Sequence, residues 1–249
     1  MPAEDGIKKV TDALSDRQVP PVAMRDVHDR LRRLILDGDL PPGTEVSQVA
    51  LSTQLECSRT PLREALRLLE REGLVVSEGA HRLIRISSLD MGDLDDLYSM
   101  RVMGEGLAVW LTVPTLRSAD FEALQHDVDA TSEGDLEAHR SFHRRLRSGG
   151  GPRLTDILER LFEHSERYQR EYRDHHADLA AAYRQRRAQH QAILEACIAG
   201  DRVLARSLLV DHVAETAVKL MASMKHAPFS LNEATRMAKA GQGSLMLQG

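Results

Sequence analysis

Residues 57–74 read CSRTPLREALRLLEREGL and carry the signals of one amphipathic helix with a defined start and stop. Thr60 can cap the first free N–H groups, and Pro61 is tolerated in the first turn because no donor is needed there. Gly73 supplies the left-handed residue that commonly ends a helix. Apolar side chains recur three and four residues apart and predict one buried face. The members of that face are Leu62, Ala65, Leu66 and Leu69.

A second stripe on this helix is charged. Arginine recurs at every fourth position, at Arg59, Arg63, Arg67 and Arg71. The first two lie near the helix N-terminus, where the helix macrodipole disfavours cations. We therefore expect an anion to meet them there.

The flanking sequence predicts two helices before this one and a hairpin after it. The pattern of apolar residues predicts a helix over 24–37 and a shorter one that begins at Ser47. Two short strands, 75–77 and 83–86, follow and are joined by a turn. Three helices followed by a β-hairpin predict a winged helix-turn-helix domain over residues 22–88.

The rest of the chain is predicted to be helical. Six helical stretches follow, with breaks at Pro114, Gly134, 149–152 and 200–201, and no strand pattern interrupts them. The stretches are 90–112, 118–131, 135–148, 152–173, 177–199 and 201–222. The predicted fold is therefore mainly α, with the winged helix followed by an all-α six-helix antiparallel bundle over 89–225. Residues 1–21 and 226–249 lack sustained periodicity, which predicts a disordered arm and a flexible tail.

Composition excludes several other classes of protein. The two cysteines, Cys57 and Cys197, lie far apart, which suits a reducing compartment. No apolar run approaches the ~20 residues of a membrane span, and the N-terminus lacks a signal-peptide core. We therefore expect a cytoplasmic protein with no membrane partner. The net charge of −5 is unlike that of most nucleic-acid binders, but residues 22–88 balance ten arginines against ten acidic residues, so charge alone decides nothing.

The first domain resembles the GntR family of bacterial transcription regulators. The resemblance rests on residues 57–74, on DGDLPPG at 37–43 and on EGLV at 72–75. It implies that the third helix enters the major groove while the wing contacts the backbone or minor groove of double-stranded DNA. The implied DNA-binding residues are Arg59, Thr60, Arg63, Arg67, His81 and Arg82.

These residues have different expected roles. Arg59 is the candidate for a bidentate contact to guanine, with Thr60 and Arg63 beside it. Arg67 is expected at a phosphate or in solvent. The wing departs from the usual family pattern, because its glycine is Gly79 instead of a glycine close to Arg82, which implies a hairpin tip of different shape.

Four histidines on three predicted helices are candidates for a metal site. His139 and His143 lie four residues apart and therefore on one helix face. His190 and His212 lie on the fifth and sixth helices of the bundle. Imidazole ligands suit Zn²⁺ or another borderline divalent metal. Histidines paired on the surface would give the same spacing, so the pattern by itself leaves both readings open.

The helical domain resembles the effector-binding (FCD) domain of the FadR-type branch of the GntR family and, in size, its VanR-like subgroup. The matching runs are DLYSMR at 96–101, FH at 142–143 and HQAILEA at 190–196, with GD at 200–201 and then His212. Many members hold a divalent metal with one aspartate and three histidines. In such relatives a small carboxylate effector can complete the metal coordination.

His139 stands where the family has its aspartate, so the implied site is all-histidine. That exchange removes one negative charge and favours Zn²⁺ or Ni²⁺ over Mg²⁺ or Mn²⁺; the same exchange is compatible with weakened or lost metal binding. Arg101 on the first bundle helix is the candidate partner of the effector carboxylate. Its alternative is an ordinary i, i+4 pair with Glu105.

Taken together, these patterns predict a homodimeric transcription regulator, a repressor, that binds a palindromic operator and responds to a small carboxylate. No HExxH or similar arrangement supplies a general base to a metal, so we expect no enzyme activity. The alternative is a metal-binding helical scaffold or interaction protein whose winged helix does not bind DNA. Salt-dependent binding to DNA separates the two.

Overall fold

A computed structural model describes residues 24–77, 83–131, 135–174 and 179–240, which fall into two compact units divided between Leu89 and Asp90. In the first unit the elements are α1 (Met24–Leu36), β1 (Glu45–Ser47), α2 (Gln48–Gln54), α3 (Arg59–Arg71), β2 (Val75–Ser77) and β3 (Leu83–Ile86). In the second they are α4 (Met91–Thr112), a 3₁₀ turn (Val113–Thr115), α5 (Ser118–Thr131), α6 (Leu136–Leu146), α7 (Pro152–Asp174), α8 (Leu179–Ile198), α9 (Arg202–Ser223) and α10 (Ser230–Ala240). The predicted arm at 1–21 lies outside the described residues.

The end of α3 follows the sequence prediction. Gly73 has a φ of +73°. Its N–H donates to the Glu70 carbonyl at 3.0 Å, and the N–H of Leu74 donates to the Leu69 carbonyl at 2.9 Å. These two bonds form the Schellman motif, which satisfies the last carbonyls of the helix. The predicted apolar face is buried, with Leu62, Ala65, Leu66 and Leu69 all in the core.

The start of α3 differs from the prediction. Ser58 occupies the N-cap position in an extended conformation, with φ −74° and ψ 165°, and makes no side-chain cap bond. Thr60 lies inside the first turn, so its prediction as the cap is wrong. Pro61 is the third helical residue and still falls where backbone N–H groups have no acceptor within the helix.

The wing is part of a three-stranded antiparallel sheet with the order β1–β3–β2. Val46 of β1 and Ser77 of β2 both pair with Ile84 on the central strand. The sequence predicts β2 and β3 but not β1, because three residues are too few to show an alternating pattern. Val46, Ile84 and Ile86 pack into the core that also buries the inner faces of α1 and α3.

The second unit contains the six predicted helices and one more. Each of α4 to α9 begins and ends within two residues of its predicted bounds. The seventh helix in the described part of this unit, α10, occupies Ser230–Ala240. The prediction of a flexible tail over 226–249 is therefore wrong for α10, and residues 241–249 lie outside the described chain.

Asp95 on α4 fixes the start of α10. Its carboxylate accepts the N–H of Ser230 at 2.7 Å and those of Phe229 and Leu231 at 3.3 Å, so it caps α10 from a different helix. Burial would raise the pKa of Asp95, but these hydrogen bonds outweigh burial and lower it. Leu231 and Ala238 are buried on the inner side of α10. The cap and this small apolar contact explain why a polar segment is ordered.

Helix α4 is the centre of the second unit and packs mainly against α9, α10 and α7. Gly104 allows α7 to approach closely, because a Cβ there would lie 2.6 Å from Cδ2 of Leu158. Across the described ranges, none of the helices is long and apolar enough to cross a membrane.

Candidate functional site

The four predicted histidines lie together inside the second unit. His139 and His143 come from α6, His190 from α8 and His212 from α9, and each is at most 4% exposed. Ring centroids are 4.8 Å apart for His139 and His143 and 4.8 Å apart for His190 and His212. Candidate ligand atoms of His139, His143 and His190 all lie within 4.8 Å of one another. We call these four residues the histidine cluster.

Three nitrogens of the cluster are buried without a hydrogen-bond partner among the residues the structure describes. They are Nδ1 of His139, Nε2 of His143 and Nδ1 of His190. A buried polar atom without a partner costs about 1–3 kcal/mol, and three in one place are unusual in a native interior. A metal ion removes that cost for each nitrogen whose lone pair binds it, so the residues present fit a metal centre.

A buried carboxylate fixes the tautomer of His143. Oε2 of Glu105 on α4 lies 3.1 Å from Nδ1 of His143, and both side chains are 1% exposed. Since a carboxylate only accepts, Nδ1 carries the proton and Nε2 keeps a lone pair that faces the cluster. A carboxylate behind a histidine in this way is typical of metal ligands, because it orients the ring and raises its basicity.

His212 is oriented in a similar way by an amide. Its Nδ1 donates to Oε1 of Gln189 at 2.9 Å, which leaves Nε2 as the lone-pair atom. That Nε2 lies 3.3 Å from Nε2 of His190. The distance suits a hydrogen bond from the Nε2–H of His190, which leaves Nδ1 of His190 as its lone-pair atom. It also matches the roughly 3.3 Å between two nitrogens held by one tetrahedral zinc at about 2.0–2.1 Å; in that arrangement Nε2 of His190 is the ligand and its Nδ1 carries the proton.

The cluster is electrically neutral at physiological pH. Burial lowers the pKa of His139, His190 and His212 well below the ordinary value, and the neighbouring imidazoles lower it further. Burial also lowers the pKa of His143, although Glu105 partly opposes that effect. Neutral imidazole is the form that binds metals, so no proton has to leave these rings before a metal enters.

Arg101 forms an ion pair with Glu105, four residues along α4. This pair is the alternative to effector binding that the sequence predicts for Arg101. Nε and Nη2 donate to Oε1 of Glu105 at 2.8 and 2.7 Å, and Nη1 donates to Oγ of Ser165 at 2.8 Å. Burial would raise the pKa of Glu105, but Arg101 and His143 outweigh burial and hold it well below its ordinary range. Glu105 is therefore a charged group that links Arg101 to the histidine cluster.

Two connected cavities open beside the cluster. The inner cavity has room for about one water molecule and is lined by His139, His143, His212 and Arg101 among others. The outer cleft is larger and opens to solvent. Four residues line both of them: Gln169, Arg186, His212 and Thr216. A small molecule in the outer cleft can therefore reach the histidine cluster.

The predicted DNA-binding residues of α3 lie on its exposed face. Arg59, Thr60 and Arg63 are exposed at the N-terminal end of the helix. Arg67 is exposed too, and its Nη1 pairs with Oε1 of Glu64 at 2.8 Å. The predicted wing contacts, His81 and Arg82, lie outside the described residues.

Sequence reasoning missed three groups at the site. The sequence predicts Glu105 only as a partner of Arg101, because its contact with His143 depends on how α4 packs on α6. Gln189 directly precedes His190 and orients His212 instead. Arg186 lies one turn before His190, and this spacing was a signal that could have found it.

Comparison with known proteins agrees with the fold. The family model "Bacterial regulatory proteins, gntR family" matches residues 23–81, and the FCD domain model matches residues 96–215. The HTH-type transcriptional regulator YdhC of Bacillus subtilis (strain 168) is 30% identical over 106 residues, which are 43% of this chain; the match spans about half, 47%, of YdhC.

Two longer similarities cover most of the chain. The "Probable D-xylose utilization operon transcriptional repressor" of Paenarthrobacter nicotinovorans is 30% identical over 215 residues, which cover 82% of this chain and 91% of that protein. The solved structure of E. coli McbR/YncC shares the fold, with a TM-score of 0.68 and 23% identity over 81% of this chain and 98% of its own. The family consists of transcription regulators, not of enzymes. This chain therefore belongs to the GntR family of bacterial transcription regulators, with a winged helix-turn-helix domain followed by an FCD domain.

Proposed function

We propose that this protein is a homodimeric, cytoplasmic repressor whose affinity for a palindromic operator is set by a small carboxylate bound beside a divalent metal. The observation that carries the ligand-responsive part is the group of three buried imidazole nitrogens without partners. His139, His143, His190 and His212 would hold the metal. An all-nitrogen ligand set favours Zn²⁺ or Ni²⁺, and the bound ion would supply a Lewis-acidic position for a carboxylate oxygen.

The arginines of α3 support the DNA-binding part of this proposal. Arg59 and Arg63 have no ion-pair partner within the described residues, and both stand near a helix N-terminus where cations are disfavoured. Such exposed, uncompensated cations are suited to the phosphates and guanine edges of a major groove. Arg67 is already paired with Glu64, so we expect it to contribute less.

Replacing Arg59 with alanine should weaken binding to the preferred operator by about 1–3 kcal/mol and relax discrimination at one base pair. The measurement is fluorescence anisotropy with an operator that the wild type selects from random duplexes, compared with single-base variants of that operator. Arg67→Ala is the matched control on the same helix and should change affinity by less. If the wild type shows no salt-dependent binding to any duplex, the scaffold alternative replaces the proposal.

An exposed apolar stripe on α4 supports the dimer. Met100, Met103, Leu107 and Leu111 follow helical spacing, and each is between 41% and 52% exposed. A contiguous exposed apolar stripe typically marks a protein interface. Because a palindromic operator requires a two-fold partner, we assign the stripe to a second copy of this chain.

Replacing Leu107 with glutamate should convert the dimer into monomers, since a charge at the centre of an apolar interface is left without a partner. Sedimentation velocity measures the oligomeric state, and the same sample should bind the operator at least about tenfold more weakly because one half-site is lost. Ile198→Glu is a control at a residue that is 55% exposed on α8. A dimer that survives Leu107→Glu would contradict this interface.

A further inference from the structure

Arg186 occupies the junction between the inner cavity and the outer cleft. It lies on α8 one turn before His190, so both side chains project from the same side of that helix. Its side chain lines both cavities. Of the described residues that line both cavities, Arg186 and His212 are the two with ionisable side chains.

The charge of Arg186 is poorly compensated. Neither cavity has an acidic residue in its lining, within the part of the chain that the structure describes. The guanidinium carbon of Arg186 lies 5.8 Å from the ring centre of Tyr183, and no described carboxylate forms an ion pair with it. Burial lowers the pKa of the Arg186 guanidinium, and the nearby Arg173 lowers it further. A half-buried cation in such surroundings is stabilised by an anion that enters the cavity.

Two other cations at the site, Arg101 and Lys219, have carboxylate partners. Arg101 uses three nitrogens on Glu105 and Ser165. Lys219 in the outer cleft pairs with Glu215 at 3.0 Å. An incoming carboxylate would have to displace a carboxylate from either of them. At Arg186 no described carboxylate has to leave.

The outer cleft also indicates what the rest of the ligand is like. Tyr172, Tyr183 and Leu220 line it, together with amide side chains of glutamine. Aromatic and aliphatic walls with a few polar groups are typical of sites for small organic molecules. A ligand whose carboxylate lies at Arg186 would place its body against these side chains.

We propose that Arg186, in preference to Arg101, binds the carboxylate of the effector, and that the effector is a monocarboxylate with an apolar or aromatic body in the outer cleft. The inference rests on the proposed ligand-responsive function and names the residue and the ligand class within it. Arg101 then has a separate role, which is to hold Glu105 against His143.

Benzoate and benzamide provide the test, because they have the same shape and differ in charge. Calorimetric titration of the full-length, zinc-loaded protein should show benzoate binding at least about tenfold tighter than benzamide. Arg186→Gln should weaken benzoate by ~10- to 100-fold and leave benzamide nearly unchanged. Arg187→Gln is the matched control, since Arg187 is the next residue, is exposed and pairs with Asp129.

The outcomes separate the inference from the function on which it rests. Equal benzoate binding by wild type and Arg186→Gln overturns the role of Arg186, and it leaves the metal and DNA-binding functions standing. A wild type that binds neither probe at millimolar concentration overturns the proposed ligand class. Metal content of Arg186→Gln, measured by atomic absorption, should equal that of wild type, because Arg186 is not a ligand; a loss of metal would assign it a structural role and also overturn the inference.

Discussion

Replacing His143 with alanine is expected to lower the metal content from about one equivalent per chain to less than about a tenth, because a four-ligand site loses one of its imidazoles. His143 is the member of the cluster whose lone pair is most firmly set, since Glu105 holds the proton on its other nitrogen. Metal content should be measured by mass spectrometry on protein purified without a histidine tag and dialysed against Zn²⁺ or Ni²⁺.

The loss of metal binding in His143→Ala should also remove the stabilisation of the folded protein by metal. A metal present at 100 times its dissociation constant stabilises the native state by about 2.7 kcal/mol, so added Zn²⁺ should raise the melting temperature of the wild type and not that of His143→Ala. His126→Ala is the matched control, because its side chain is 83% exposed and lies on α5, away from the cluster. A wild type with less than about a tenth of an equivalent after exposure to Zn²⁺ would refute the metal site.

Replacing Glu105 with glutamine is expected to destabilise the protein by about 3–5 kcal/mol, because it leaves Arg101 as an uncompensated buried charge. The Arg101 and Glu105 side chains are 3% and 1% exposed, so bulk solvent does not screen the charge that is left. Glutamine preserves the shape and removes the charge. Urea unfolding followed by circular dichroism gives the free energy of unfolding.

Two further variants test whether the stability lost in Glu105→Gln comes from the buried charge. Asp129→Asn breaks the exposed pair with Arg187 and should change stability far less, because solvent screens that pair. The double variant Glu105→Gln, Arg101→Met removes both charges and should recover part of the lost stability. Glu105→Gln should also weaken zinc by ~10- to 100-fold, since His143 loses its orienting carboxylate. A cost below about 1 kcal/mol for Glu105→Gln would mean that the buried pair contributes little.

Much of the fold can be read from local sequence. Glycine or proline marks each break between α4 and α9 except the one between α7 and α8. The Gly73 stop of α3 is visible because only glycine readily adopts its left-handed conformation. β1 is too short to show a pattern. α10 escapes prediction because few of its side chains are buried, and the residue that fixes its start, Asp95, lies far away in the sequence.

The candidate site, like the fold, could be predicted from the sequence only in part. Histidine spacing places the four rings on three helices, and the family resemblance indicates that these helices face one another. The partners that set tautomer and charge depend on packing between helices: Glu105 on α4 meets His143 on α6, and Gln189 on α8 meets His212 on α9. Arg186 is on the correct side of its helix by spacing, but its lack of a counter-charge is visible only in three dimensions.

The cap that Asp95 places on α10 has a consequence for how a new chain becomes functional. The contact joins residues 135 positions apart, so it forms only after nearly the whole second unit has been synthesised. The first unit ends at Leu89, about 150 residues before α10 ends. At roughly 5–20 residues per second, the winged helix therefore leaves the ribosome about 8–30 s before the helical unit is complete. The part that reads DNA can fold before the part that is to regulate it.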